Sequence, residues 1–403
     1  MNNNSVDIMA KPIGPICNLS CEYCFYLEKE KLYSRTSQWA MQHDVLESFI
    51  KQFIQENDNT VINFAWQGGE PTLLGVDYFR EIVALQKQYG EGKYIRNAFQ
   101  TNGVLLNNEW AEFFLENDFL VGVSIDGPEE IHDSYRRDKE GNSTFLRVLH
   151  GIRELKDNGV SFNTLTTVHH ANEKFPLAIY EFLKEIGSTV MQFIPIVERK
   201  SNFSVSHHAP LFSPNLSDAS PVTAWSVDPR AYGTFLCAIF DVWIRRDVGK
   251  YFIQLFDTTL AMWAGLPADL CVFQKRCGKS AIIEHNGDVY SCDHYVYPNY
   301  YLGNIRDISL ADVVTSKQQL AFGAMKETQL PQYCRNCDVG FACHGACPKH
   351  RFMLTPKGEA GLNYLCAAYR KFFHHAAPYM QFMVKELAEN RAPANVMDWA
   401  NRF

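Results

Sequence analysis

The sequence predicts an α/β fold in which a partial (β/α)6, TIM-like barrel is followed by a loop-rich C-terminal domain. Six short apolar runs alternate with amphipathic helical patterns from Ser5 to Ile196. Strands that alternate with helices of this length form a parallel sheet of right-handed βαβ units. Six units are fewer than a closed eight-stranded barrel needs. Eight of the 12 cysteines follow in the C-terminal third, where we expect the loop-rich domain.

Each expected strand is a short apolar run, and each expected helix has apolar residues on one face. The expected strands are Val6–Ala10, Val61–Trp66, Ile95–Gln100, Leu120–Ile125, Phe162–Val168 and Thr189–Ile194. The expected helices lie near His43–Gln55, Val76–Tyr89, Asn108–Asn117, Thr144–Asn158 and Lys174–Ile186. Helical patterning returns from Tyr232 to Trp263, and within it Cys237 is expected to be a buried core thiol.

Composition and charge limit the classes of function. The chain has 403 residues, 46% hydrophobic, and a net charge of −7, which argues against a nucleic-acid partner. No apolar stretch reaches the length of about 18 residues that a membrane span needs, and the polar start is not a signal peptide. We therefore expect a cytoplasmic protein without a membrane partner. In that reducing compartment the cysteines are expected to be metal ligands rather than disulfides.

A triplet of cysteines follows the first expected strand. Cys17, Cys21 and Cys24 bring three thiolates into one small volume from a single loop, as an iron–sulfur cluster requires. About 0.01 matches to this spacing are expected by chance, and a zinc site would need a fourth ligand at short range. Three ligands for a four-iron cluster leave one iron open to a small molecule.

The next three strands also end in motif-bearing loops, and in a parallel sheet these loops share one rim. Gly68 and Gly69 allow a close approach to a ligand or form a tight turn. Glu70 belongs to the same motif or only caps the next helix. Ser124 and Asp126 are suited to ribose hydroxyls or to an Asp-Gly-Pro turn. In order, the motifs are Gly68-Gly69-Glu70-Pro71, Gln100-Thr101-Asn102-Gly103 and Ser124-Ile125-Asp126-Gly127-Pro128.

The cysteine triplet, followed by Phe25-Tyr26 and then by Gly68-Gly69-Glu70-Pro71, resembles the radical S-adenosylmethionine superfamily. In that family the three cysteines hold a [4Fe–4S] cluster whose open iron is chelated by S-adenosylmethionine. The resemblance implies that the glycine pair binds the amino group of this cofactor. It also implies that Ser124 and Arg136 contact its ribose and carboxylate, and that Tyr26 lies beside its adenosine.

The C-terminal cysteines resemble the SPASM extension of radical enzymes that modify peptides. The resemblance implies two further, fully ligated [4Fe–4S] clusters and therefore three clusters in all, with the vacancy at the first. Spacing alone does not fix the pairing, and two zinc sites are the alternative. The implied ligands are Cys271, Cys277, Cys292 and Cys347 for one cluster, and Cys334, Cys337, Cys343 and Cys366 for the other.

These patterns predict four regions. We expect a radical S-adenosylmethionine barrel over residues 1–231, a helical connector over 232–270, a SPASM domain over 271–370 and a helical tail over 371–403. The stretch Ser201 to Asp228 is rich in Ser, Pro and Asn and is expected to be a connecting loop.

Taken from Val6 to Cys366, the sequence is most similar to the anaerobic sulfatase-maturating enzymes. The resemblance implies that a Cys or Ser in an unfolded sulfatase segment, Cys/Ser-x-Pro/Ala-x-Arg, is oxidised to Cα-formylglycine by a 5′-deoxyadenosyl radical. It makes Asp293 the general base, places Gln67 beside the target side chain, and requires an electron donor such as flavodoxin or ferredoxin. On residue type alone, Asp293 would be an exposed loop residue.

Three other functions are compatible with the residues. A peptide-cross-linking SPASM enzyme is the nearest one, although full auxiliary ligation leaves no iron for a substrate thiolate. A multi-cluster electron carrier is the second, and it would close its first cluster with a fourth cysteine, for which only Cys237 is spare. A zinc-stapled binding module is a third possibility.

Overall fold

A computed structural model describes residues 7–34, 38–199 and 221–402 of the chain. Val6 and most of the predicted connecting loop, Ser201 to Asp228, lie outside these residues. Within the described part, no helix combines the length and the apolar character needed to cross a membrane.

One mixed sheet organises the molecule, with the strand order β10-β9-β8-β1-β2-β3-β4-β5-β6-β7. Neighbours from β8 through β1 to β7 are parallel, whereas β9 runs antiparallel to β8 and to β10. The strands are β1 Asp7–Lys11, β2 Val61–Trp66, β3 Tyr94–Thr101, β4 Phe119–Ser124, β5 Phe162–Val168, β6 Val190–Pro195, β7 Phe252–Ile253, β8 Ser280–Glu284, β9 Asp288–Tyr290 and β10 Tyr301–Asn304; a separate hairpin pairs β11 Met353–Leu354 with β12 Ala360–Leu362.

The longer helices of the barrel half pack against the sheet because one side of each is apolar. In α1, for example, Val45, Phe49 and Phe53 are fully buried at helical spacing. The helices are α1 His43–Gln55, α2 Val76–Tyr89, α3 Asn108–Glu116, α4 Glu129–His132, α5 Phe145–Asp157, α6 Pro176–Glu185, α7 Pro229–Arg246, α8 Gln254–Trp263, α9 Leu310–Thr315, α10 Lys317–Thr328, α11 Gln332–Arg335, α12 Gly340–Cys343, α13 Cys366–Ala388 and α14 Val396–Ala400.

The predicted partial barrel is confirmed, and its strands begin and end within about a residue of the expected positions. Two features differ from expectation. The helical stretch expected from Tyr232 to Trp263 is divided by β7, which pairs with β6. The cysteine-rich part also contributes β8, β9 and β10 to the sheet, and no strand was predicted there.

The pairing of β8 with β1 joins the two halves of the chain. It is parallel and runs for five residue pairs, from Asp7 opposite Ser280 to Lys11 opposite Glu284. The segment that follows β1 therefore lies beside the turn that follows β8, where a Cβ added at Gly14 would meet the ring of His285. The antiparallel β9 then runs back toward the first residues of β8 and leads into Cys292. The two halves meet at the ion pair between Lys11 and Asp293, although 282 residues separate these side chains in sequence, from 293 minus 11.

Candidate active site

The loops that follow β1 and β2 are joined by backbone hydrogen bonds. The amide of Gly69 donates to the carbonyl of Gly14 at 2.7 Å, and the amide of Glu70 donates to the carbonyl of Ile16 at 2.8 Å. The glycine motif is therefore fixed to the segment that leads directly into Cys17.

Only glycine fits at position 69. A methyl group there would lie 1.9 Å from the carbonyl oxygen of Ile16. Gly68 has a φ of +151°, in the region that favours glycine. The close approach that the sequence predicts for this pair is made in the structure to the backbone of the cysteine loop.

The carboxylate of Glu70 cross-links the loops after β2 and β3. One oxygen accepts hydrogen bonds from the amide of Thr72 at 3.0 Å and the hydroxyl of Thr101 at 2.7 Å, and the other accepts from the amide of Asn102 at 2.7 Å. Burial raises the pKa of this carboxyl, against the effect of these donors. Glu70 thus caps the following helical turn, Pro71–Leu74, as one of the two interpretations predicts.

The first cysteine group, Cys17, Cys21 and Cys24, occupies one small volume at this rim. Burial raises the pKa of Cys21, and the charges of Cys24 and Cys17 raise it further. The amide of Leu19 donates to the sulfur of Cys17 at 3.3 Å, and the side-chain nitrogen of Asn102 lies 3.7 Å from it. Amide donors of this kind stabilise cluster sulfur. The group has the donor chemistry that an iron–sulfur cluster needs.

Ser124 and Arg136 lie on the other side of the same rim. Ser124 ends β4, and its hydroxyl accepts a hydrogen bond from Gln100 at 3.1 Å. The buried Arg136 donates to Asp126 at 3.0 Å, while the amide of Thr167 donates to Asp126 at 2.9 Å. Burial acts to raise the pKa of Asp126, but Arg136 outweighs it and the pKa is well below its usual value. Asp126 is therefore bound by protein groups.

A buried charged cluster connects β1, β8 and the loop that follows β9. Lys11 forms an ion pair with Asp293 at 2.5 Å, and its ammonium lies 3.9 Å from the centre of the Tyr26 ring. The hydroxyl of Tyr26 donates to Glu284, which lies opposite Lys11 in the sheet. Burial acts to raise the pKa of Asp293, but Lys11 and His294 outweigh it, so the pKa is lowered. Asp293 is an ionised carboxylate held beside the first cysteine group.

Gln67 directly follows β2, on the same rim. Its side-chain oxygen is buried and, among the described residues, finds no hydrogen-bond partner. A buried amide oxygen of this kind costs free energy unless a ligand or water satisfies it. The side chain is therefore suited to binding a polar group that enters the rim.

The remaining ligand candidates form two groups, and within each group the cysteines act electrostatically on one another. After burial, the charge of Cys347 is the main contribution that raises the pKa of Cys271 and Cys292, and both Cys347 and Cys271 raise that of Cys277. In the second group, Cys366, Cys334 and Cys337 raise the pKa of Cys343 in the same way. A cavity is lined by all four sulfur-bearing residues of this second group, Cys334, Cys337, Cys343 and Cys366.

Two cations hold the loops around these groups. Lys326 is buried and donates to the carbonyls of Cys271 and Val272 at 2.7 and 2.8 Å. Arg351 donates to the carbonyls of Gly345 and Ala346, and its charge acts on cysteines of both groups, Cys347 and Cys334 first among them. Arg351 therefore lies between the two groups.

Cys237 lies away from all of these groups, buried in α7 as predicted. In the described part of the chain, no three His, Cys, Asp or Glu side chains converge closely enough to hold one metal ion. A four-iron cluster is a larger guest than a single ion, and its ligands stand further apart.

Two sequence profiles match the chain. The Radical SAM superfamily matches residues 12–183, and an iron–sulfur cluster-binding domain, SPASM, matches residues 271–338. Iron–sulfur clusters and S-adenosylmethionine are the cofactors that these two domains imply.

A serine-type anaerobic sulfatase-maturating enzyme of Bacteroides thetaiotaomicron is 47% identical to the chain over 97% of its length and 94% of the relative. The chain belongs to the anaerobic sulfatase-maturating enzymes. A cysteine-type enzyme of Clostridium novyi is 31% identical over 95% of this chain and 98% of its own. A solved structure of native anSMEcpe with bound AdoMet and Kp18Cys peptide superposes with a TM-score of 0.82, at 30% identity, over 95% of this chain and 99% of that one.

Membership in the anaerobic sulfatase-maturating enzymes confirms the predicted family and the radical S-adenosylmethionine oxidoreductase class. It sets aside the electron carrier, the zinc-stapled module and the cross-linking enzyme. Sequence reasoning missed Lys11, Glu284 and Arg351. A signal existed for Lys11, since a lysine that ends the apolar strand Asp7–Lys11 must be paired once the strand is buried.

Proposed function

We propose that this sulfatase-maturating enzyme oxidises a Ser in a sulfatase segment of the form Cys/Ser-x-Pro/Ala-x-Arg to Cα-formylglycine, and accepts Cys at the same position less well. The preference for Ser is supported by the 47% identity to a serine-type relative, against 31% to a cysteine-type relative. The substrate is the unfolded sulfatase polypeptide, because the target must be extended to reach the rim.

The observation that carries the proposal is the position of Asp293. It follows Cys292 of one auxiliary group, forms an ion pair with Lys11 at the end of β1, and acts electrostatically on Cys24 of the first group. A proton acceptor at this junction is adjacent both to the radical site and to a cluster that can take an electron.

The proposed cofactors are S-adenosylmethionine and three [4Fe–4S] clusters. When bound and reduced, the first cluster and S-adenosylmethionine together supply a 5′-deoxyadenosyl radical. The open coordination site for the cofactor is at the group of Cys17, Cys21 and Cys24. Tyr26, Gly68, Gly69, Glu70, Ser124 and Arg136 are the proposed cofactor-site residues. The auxiliary ligands are Cys271, Cys277, Cys292 and Cys347 in one site and Cys334, Cys337, Cys343 and Cys366 in the other.

These residues differ in how directly they act. Gly68, Gly69 and Glu70 hold the cysteine loop in place, as the hydrogen bonds of Gly69 and the Glu70 carboxylate support. Gln67 offers its unpaired oxygen to the target hydroxyl or thiol. Asp293 accepts the proton from that group, and Lys11 keeps the carboxylate ionised and oriented.

The other partners are inferred from the chemistry. A flavodoxin or ferredoxin in the cytoplasm supplies electrons, and neither nucleic acid nor a membrane takes part. We also propose that the division at residues 1–231, 232–270, 271–370 and 371–403 describes functional regions, although α13 begins at Cys366 and so overlaps the last boundary.

The test uses two peptides that differ only in Ser or Cys at the target position. The cluster-reconstituted enzyme is incubated anaerobically with S-adenosylmethionine and dithionite, and the peptides are analysed by mass spectrometry. Formylglycine forms from Ser by loss of two hydrogen atoms, and from Cys by replacement of SH and one hydrogen with an aldehyde oxygen. We expect the Ser peptide to form formylglycine faster than the Cys peptide. Formation of 5′-deoxyadenosine with both peptides unchanged would contradict the proposal.

A further inference from the structure

An exposed groove lies directly outside the second auxiliary cysteine group. Its volume is about 560 Å³. The wall between this groove and the cavity of the cysteine group is one side chain thick, because the same residues line both. These shared residues are Tyr333, Leu362, Asn363, Cys366 and Arg370.

The groove combines an apolar floor with basic side chains. Leu354 is 64% exposed and Met353 is 42% exposed, so two adjacent apolar side chains face the groove. Among the described residues that line the groove, the basic ones are Arg370, Lys371 and His374, and none is acidic.

The charge of this surface is opposite to that of the whole chain. The chain has a net charge of −7. Asp338, outside the groove, pairs with Arg370 at 3.8 Å and with His374 at 3.2 Å. Lys371 instead donates to the neutral hydroxyl of Thr234 at 2.7 Å, and no acidic side chain within the described ranges forms an ion pair with it.

The proposed reaction takes up one electron when S-adenosylmethionine is cleaved and gives up one electron from the substrate. Oxidation of an alcohol to an aldehyde removes two electrons and two protons. One electron and one proton leave as the hydrogen atom that ends in 5′-deoxyadenosine, and the second proton goes to Asp293. The second electron goes to a one-electron acceptor. An oxidised carrier protein takes it in the cell, and where dithionite is the only reductant it would return to the oxidised first cluster, so that no carrier is needed.

We infer that a small acidic electron-carrier protein docks in the groove between β11, β12 and the first turns of α13, over Cys366. This inference rests on the proposed function for the direction of electron flow. An acidic carrier matches the basic groove, and the apolar floor supplies the small interface that is typical of transient redox complexes. The carrier then lies against the wall of the second cysteine group.

The test compares two double variants of the cluster-loaded enzyme with the same change in charge and hydrophobicity. The groove variant is Lys371→Glu with Leu354→Asp. The control is Lys275→Glu with Leu320→Asp, since the side chain of Lys275 is 68% exposed and Leu320 is 62% exposed. Arg370 is left unchanged because it also lines the cavity of the cysteine group.

Binding of oxidised flavodoxin, an acidic carrier, is measured by isothermal titration calorimetry. We expect the groove variant to bind about tenfold more weakly at about 0.05 M ionic strength, with a difference that shrinks as salt is added. The control should bind as the native enzyme does. Equal binding by the groove variant, weaker binding by the control, or no binding by the native enzyme would overturn the inference.

Two further measurements keep the outcome interpretable. Iron content and visible absorption must match among the three proteins, and Lys371→Glu alone replaces the double variant if that loses iron. Formylglycine production with dithionite needs no docked carrier, so it should be the same in the groove variant and the native enzyme. Failure of the native enzyme to make formylglycine with dithionite would count against the proposed function and leave the binding result standing.

Discussion

The substitution Gly69→Ala is predicted to remove the N-terminal cluster and leave the auxiliary cysteine groups intact. The new methyl group would lie 1.9 Å from the oxygen and 2.3 Å from the carbon of the Ile16 carbonyl, and 2.7 Å from the carbonyl carbon of Pro15. Ordinary contact begins near 3.4 Å, so the cysteine loop must retreat by about 1.5 Å, from 3.4 minus 1.9. These neighbours are backbone atoms, which cannot rotate away.

The cost of this retreat follows from the contacts that it breaks. Overpacking costs about 1–3 kcal/mol, and the two backbone hydrogen bonds from Gly69 and Glu70 contribute about 1 kcal/mol each, which gives roughly 3–5 kcal/mol. That is enough to displace Cys17 from its partners.

Iron analysis and cleavage of S-adenosylmethionine measure the effect. Iron should fall from about 12 to about 8 atoms per chain if three four-iron clusters are present, and cleavage should be lost. Gly92→Ala is the control, because no atom lies within 4 Å of the methyl group added at Gly92. The φ of +76° at Gly92 adds a backbone strain that Gly69 does not have, so retention of iron in Gly92→Ala is the stricter comparison. Native iron content and cleavage in Gly69→Ala would refute the reasoning.

Three other substitutions test separate parts of the description. Asp293→Asn should retain iron and form 5′-deoxyadenosine but make formylglycine at least about 100-fold more slowly, and a rate near the native one would exclude Asp293 as the base. Cys237→Ala should lower the free energy of unfolding by about 1 kcal/mol and leave the iron content unchanged. Loss of a cluster would instead support the electron-carrier hypothesis. Burial, aided by the charge of Arg136, lowers the pKa of His132 to about 4 in the folded protein. As the pH falls below 6.5, His132 is therefore protonated in the unfolded chain but not in the folded one, and the folded state loses stability. Between pH 7 and pH 5.5 this should remove about 1 kcal/mol of the free energy of unfolding. Denaturant titrations at pH 7 and pH 5.5 measure this loss. The free energy of unfolding should fall less in His132→Gln than in the native protein, and in His150→Gln, where the histidine is exposed, it should fall as much as in the native protein.

The barrel half of the fold was predictable because its signals are local. Apolar strands and amphipathic helices can be identified within windows of ten or so residues, and the motif-bearing loops follow from the strand ends. The strands β8, β9 and β10 are short, and β8 depends on β1, which lies more than 250 residues earlier, as 280 minus 7 shows. No local pattern distinguishes such strands from loops between cysteines.

The site also combines residues that local sequence patterns identify with residues that depend on long-range pairing. The cysteines were identifiable from spacing, but the ion pair between Lys11 and Asp293 depends on the β1–β8 register, which places Glu284 opposite Lys11. The groove over Cys366 was not predictable either, because its floor, Met353 and Leu354, is defined by exposure and by pairing with β12.

The order of charged groups across the molecule suggests why the two halves share a sheet. Cys24 lies within electrostatic reach of Asp293, which follows Cys292 of the first auxiliary group. Arg351 acts on cysteines of both auxiliary groups, and Cys366 of the second group borders the exposed groove. These groups form a continuous series from the rim to the surface. Because β8 pairs with β1, a shift between barrel and cysteine-rich part would break the series at Lys11 and Asp293, and the shared sheet keeps that junction fixed.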